Sequence, residues 1–206
     1  MRDQAIKDVL ASLGYEGEAA GLAQQALIDA GLTRPGKGRI AVAKLPYAET
    51  ALAKRFLRAC GSQACQTEAA ALARADGQSV VTVPRESCDI CGGSENARAV
   101  REMAQAMELA SRTRLLVIGG TPNIESELIR LLPSPCQVRF VLAGGKKTAK
   151  DAAQDAGWAD FIVVWASTPI GHKTSALYKP YKPLTVSRRS ISALAGEVTL
   201  SLADPR

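Results

Sequence analysis

Arg114-Leu115-Leu116-Val117-Ile118-Gly119-Gly120-Thr121-Pro122-Asn123 is the stretch that sets the fold class. Its apolar run reads as a strand buried on both faces, because a one-sided strand would alternate apolar and polar residues. The glycine pair lets the chain turn tightly and brings backbone amides close to any ligand, and a helix is expected to start near Asn123. Strand, glycine turn and helix in that order are the repeating unit of a parallel α/β sheet.

Similar runs lie on both sides of it. Ser79–Val83, Val138–Leu142, Phe161–Trp165 and Leu184–Val186 read as strands, with helical patterns between or after them at about 94–110, 123–132, 147–156, 171–178 and 190–196. The expected fold is therefore α/β, with a Rossmann-like parallel sheet in the C-terminal part. The first sixty residues look different. Ile6, Val9, Leu10 and Leu13 recur at helical spacing up to Gly14, a second helix runs from about Glu18 to Ala30 with Gly31 as its cap, and Thr33-Arg34-Pro35-Gly36 is a turn. A third helix is expected to begin at Pro46 and to place Ala48, Leu52, Phe56 and Cys60 on one seam until Gly61 stops it. The sheet is thus expected to follow an all-helical N-terminal segment and a four-cysteine metal site. The domain expectation is a basic helical domain over 1–76, a cysteine knuckle and connecting helix over 77–112, and the α/β domain over 113–206.

The 206 residues are 47% hydrophobic and 22% charged, an ordinary globular balance. Only 4% are aromatic, so the core must be built mainly from Ala, Leu, Val and Ile. No apolar run approaches the ~20 residues of a membrane helix, and the polar start Met1-Arg2-Asp3-Gln4 reads as the lead-in to an amphipathic helix, so no export signal is expected. The expected location is the cytoplasm, where the five cysteines stay reduced and metal ligation is favoured over disulfides. Net charge is +6, and its densest stretch runs from Arg34 to Arg58. There Arg34, Lys37, Arg39, Lys44, Lys54, Arg55 and Arg58 face one acid, Glu49. Such a cluster either attracts a polyanion or forms a solvated basic face.

Cys60 and Cys65 form C-x4-C; Cys88 and Cys91 form C-x2-C followed by Gly92-Gly93. Two close pairs from separate segments can supply the four soft ligands that tetrahedral zinc prefers. Glycine after the second pair helps the chain turn and aim amide protons at the sulfurs. An iron–sulfur cluster would use the same four thiolates. The alternative is that Cys60 is a core residue of the third helix and Cys88/Cys91 a redox pair or half-site. A closed four-thiolate shell has a folding role, since it leaves no position for catalytic water. Cys136 reads as a small buried hydrophobe.

The loops after the strands offer a second constellation. Asp160–Trp165 leads into Ala166-Ser167-Thr168-Pro169-Ile170-Gly171-His172-Lys173, which holds the sole histidine of the chain. Leu184-Thr185-Val186 opens onto Ser187-Arg188-Arg189-Ser190. The carboxyl ends of parallel strands converge on one crevice, so Gly119, Gly120, Thr121, Ser167, Thr168, His172, Lys173, Ser187, Arg188 and Ser190 are candidate contacts for an anion or nucleotide. Each hydroxyl can equally be a helix cap. Neither a full G-x-G-x-x-G nor a P-loop is present.

From about Arg114 to Val198 the chain resembles a bacterial domain of unknown function, the one catalogued under the number two-three-two-five. The features that carry the resemblance are the apolar-Gly-Gly strand end (Val117–Gly120), Ala159-Asp160 before an apolar strand, Gly171-His172 with Lys173, and a final strand followed by Ser190 and a helix. The resemblance implies a small Rossmann-like domain with its histidine near the strand ends, and it carries no established activity. Pro169-Ile170-Gly171 stands where that pattern commonly has a serine before the histidine.

Catalysis has little to work with. His172 would be the base of any hydrolase, no G-x-S-x-G elbow exists, and Asp160 starts its strand at the end away from the crevice. The favoured expectation is a regulatory or accessory protein associated with nucleic acid. Ala26–Ala43 would serve as a helix-turn-helix-like element, and zinc would staple the helical and α/β parts. The alternative is a sensor whose α/β pocket takes a phosphate-bearing small molecule while the helices pair as a homodimer. A further alternative is an interaction subunit docking an acidic protein. Trp158 and Trp165 are core residues or, less commonly, dimer contacts.

Overall fold

The computed structural model describes residues 3–142, 147–166 and 172–203. The chain divides into two compact units, Met1–Ser94 and Glu95–Arg206.

In the first unit, β1 (Asp3–Ala5) is followed by α1 (Ile6–Ser12), α2 (Gly17–Asp29), β2 (Arg39–Ala41) and, after a 3-10 turn at Val42–Lys44, α3 (Leu45–Arg55). Then come β3 (Phe56–Ala59), α4 (Gln63–Asp76) and β4 (Ser79–Thr82), with a second 3-10 turn at Arg85–Ser87. β1 and β2 pair antiparallel, Asp3 opposite Ala41. β3 and β4 pair in parallel, Phe56 opposite Ser79, with α4 as the crossover between them. Ile6, Leu10, Leu27, Ile40, Leu52, Phe56 and Val81 close one core around these elements.

The N-terminal segment is therefore not all-helical. Strands alternate with its helices, and the expected third helix ends at Arg55 instead of reaching Gly61. Phe56 leaves the helix in extended conformation (φ −127°, ψ 139°) and its run pairs with Ser79–Thr82. Four-residue spacing of Ala48, Leu52, Phe56 and Cys60 suits a helix, but spacing does not record the partner strand that wins residues 56–59. Nor is Ala26–Ala43 a helix-turn-helix. Beyond Asp29 it is loop and then a strand, held by three residue pairs to the chain's own beginning.

The second unit opens with α5 (Glu95–Leu109) and continues through β5 (Arg114–Ile118), α6 (Pro122–Leu131), β6 (Gln137–Val141), α7 (Ala149–Trp158), β7 (Phe161–Trp165), α8 (His172–Tyr178), β8 (Leu184–Val186) and α9 (Ile191–Ala203). The four strands form one all-parallel sheet in the order β6-β5-β7-β8. Leu115 and Val117 face a core with Val100, Met103, Met107, Leu128, Leu194 and Val198, so α5, α6 and α9 cover that side. Leu116 and Ile118 face Ala152 and Tyr178, so α7 and α8 cover the other. Burial on both faces is why β5 carries four fully buried apolar residues in a row. Ser79–Thr82 is a strand as expected, but it belongs to the small sheet of the first unit. At the amino ends of the strands Asp160 binds Arg114, taking its backbone N–H (3.0 Å) and a guanidinium N–H (2.7 Å). No helix among the described residues is long and apolar enough to cross a membrane.

Candidate metal centre

The four paired cysteines come together. Cys60 follows β3, Cys65 lies in the first turn of α4, and Cys88 and Cys91 lie in the turns after β4. The parallel pairing of β3 with β4 brings their carboxyl ends side by side, and α4 starts at that same end. The four Sγ atoms all lie within 4.8 Å of one another, and all four residues are buried. Cys60 is thus not a residue of the third helix, and no disulfide links any of the four. Four thiols at this spacing can hold a metal.

The surrounding backbone is shaped for negative sulfur. The Cys60 N–H donates to Cys88 Sγ at 3.2 Å. Burial pushes the Cys88 thiol up, but amide N–H groups of Cys91, Cys60 and Ile90 outweigh it and hold this thiol below its ordinary range. Cys91 is pushed up, chiefly by burial, with the Gly93 amide opposing. Cys65 is pushed up furthest, by burial and then by its hydrogen bond with Cys60. The Cys88 thiol is thus held down while burial raises those of Cys65 and Cys91. Gly92 and Gly93 have φ of +57° and +79°, and a Cβ on Gly93 would lie 3.3 Å from the Glu86 Cα. Glycine is needed there to turn the knuckle.

Sequence reasoning missed the clamp beside this cluster. Arg58, two residues before Cys60, donates from its backbone N–H to Asp89 Oδ2 (2.8 Å) and from its guanidinium to both Asp89 oxygens, the shortest contact being 2.6 Å. The Asp89 N–H returns a bond to the Arg58 carbonyl (2.9 Å). A further guanidinium N–H reaches the Leu13 carbonyl at 2.7 Å, and the guanidinium carbon lies 6.0 Å from the centre of the Tyr15 ring. Asp89 stands between Cys88 and Cys91, so the clamp ties the knuckle to β3 and to the end of α1. An acid inside C-x2-C was the available signal; its partner, 31 residues away, was not legible.

The other basic candidates are spread over the same unit. Arg34, Lys37 and Lys54 are exposed. Arg39 donates to the Asp3 carbonyl (2.6 Å) and Lys44 to the Leu32 carbonyl (3.1 Å), while Arg55 lies 3.6 Å from an Asp29 carboxylate oxygen.

At the carboxyl ends of the large sheet, the Gly119 N–H bonds the Val141 carbonyl and Gly120 packs so closely that a Cβ would lie 3.1 Å from the Phe140 ring. Thr121 caps α6, accepting from the Ile124 N–H (3.5 Å), and Ser190 accepts from the Ala193 N–H (3.0 Å) at the start of α9. Asn96 takes the Ser192 N–H of the same turn (3.1 Å). Lys173, Ser187 and Arg188 are exposed, and the Arg188 carbonyl accepts from the buried Trp165 indole. Ser167, Thr168 and the His172 side chain lie outside the described residues. A cavity of about 950 Å³ opens at the opposite, amino end of β7 and β8, lined in part by Arg112, Asp160, Tyr181, Lys182 and Glu197. Cys136 is buried and its thiol is pushed up to about 11 by burial, with Glu108 adding to it.

No family model, no curated protein and no solved structure matches this chain.

Proposed function

We propose that the protein is a zinc-dependent accessory or regulatory protein associated with nucleic acid, in which zinc staples the fold. The observation that carries the reading is the convergence of the Cys60, Cys65, Cys88 and Cys91 sulfurs within 4.8 Å. Tetrahedral zinc with bonds of about 2.3 Å sets its sulfurs about 3.8 Å apart, so small shifts suffice to close on one ion. An iron–sulfur cluster distributes its thiolates over several irons and holds them further apart, which favours the single ion. Four buried thiolates fill the zinc shell, so the ion stabilises structure and offers no site for catalytic water.

Support for the nucleic-acid partner is electrostatic: the exposed Arg34, Lys37 and Lys54 lie in a stretch with a single opposing acid. A phosphate-bearing small ligand at the ends of the large sheet takes second place. Lys173 and Arg188 favour it, but Thr121, Ser190 and Asn96 already occupy the helix-end amides that such an anion would use.

Elemental analysis of protein purified without added metal tests the centre. Equimolar zinc and no visible absorbance are expected, whereas iron with charge-transfer bands, or no metal at all, overturns the reading. Binding to labelled nucleic acid across a salt series tests the partner, and an affinity that does not fall with salt would count against it.

A further inference from the structure

The residues from Arg34 to Ala48 include four cations and no acid. β2 runs directly into the Val42–Lys44 turn and then α3, so these charges follow one continuous rib. Ile40, 1% exposed, anchors the rib in the core. Arg34 through Arg39, Val42 through Lys44, Pro46 and Tyr47 all face solvent. The Lys44 ammonium bonds the Leu32 carbonyl at 3.1 Å, which ties the loop carrying Arg34 and Lys37 to the start of α3, one turn before Tyr47. Tyr47 is 67% exposed, a large ring left in water three residues after Lys44. Glu49, the nearest acid along α3, is two residues on and so points to another side of the helix.

Readers of duplex place a helix or a two-stranded ribbon in the major groove, whereas this rib runs as loop, a three-residue strand and a 3-10 turn and sets its exposed ring only at the first turn of α3. Cations that track a backbone, with an exposed ring on which a base can stack, are the means by which proteins hold single strands. We infer that this face binds single-stranded nucleic acid, with Tyr47 as its stacking platform and Arg34, Lys37 and Lys44 on the phosphates. The inference rests on the nucleic-acid association proposed above and names its substrate class.

The test is fluorescence anisotropy of the full, zinc-loaded chain with labelled oligothymidylate and with a hairpin duplex of equal length. The single strand should bind more tightly, Tyr47→Ala should weaken it about tenfold, and Tyr47→Phe should leave it unchanged. Arg34→Ala and Lys37→Ala should each reduce the slope of log affinity against log salt by about 0.7. Tyr47 is exposed, so its variants should keep the wild-type circular dichroism. Equal affinity for the two polymers, or wild-type binding by Tyr47→Ala, overturns the single-strand inference and leaves the broader association standing. Failure to bind either polymer overturns both, and equal binding to polyglutamate shows a docking face for acidic protein instead.

Discussion

Replacing Arg58 by methionine would keep a stem against Tyr15 and remove the group that holds Asp89 and the Leu13 carbonyl. Both members of the ion pair have side chains only 30% exposed, so the loss should exceed that of a surface pair, at about 2 kcal/mol. Denaturant unfolding measures that loss, and a chelator competition should show faster metal release. Asp160 invites a different test. The Arg114 guanidinium bound to it holds its carboxyl below the ordinary carboxylate value. The stability this contributes is present above the unfolded value of about 3.9 and fades as pH falls through the lower folded value. Asp160→Asn should therefore melt below wild type at neutral pH, with the gap closing in acid. A gap that stays constant with pH would show that the pair does not stabilise through its charge.

At the scale of elements, β5 depends on the turn that ends it. Gly120 has φ +91° and sits against Phe140, so Gly120→Ala should cost about 1–3 kcal/mol, read from the denaturant midpoint. That turn was legible in the sequence because an apolar run ending in two glycines has few other uses. The helices of the second unit were legible for the same reason, their periodicity being local. Residues 56–59 were not, because helix and strand both accommodate Phe56 and Ala59, and the decision lies with β4 more than twenty residues on. The three-residue strands β1 and β2 are likewise made by each other rather than by propensity. The cysteine spacing showed which sulfurs could meet, while the clamp beside them depends on a charge partner that no short-range pattern encodes.

For the whole molecule, the two units have separate cores, and both tryptophans, Trp158 and Trp165, lie in the second. If zinc staples the first unit, a strong chelator should lower its melting transition by far-UV circular dichroism while tryptophan emission keeps its native wavelength. Emission that shifts in step with the dichroism would show that the ion stabilises the entire chain as one cooperative body. The position of the ligands in the chain has a further consequence during synthesis. All four sulfurs are translated before the first strand of the larger sheet. On the proposed zinc reading, a zinc-starved cell would make molecules whose later half can finish folding while the earlier half stays open to proteases, and nutrient supply would set how much intact protein accumulates.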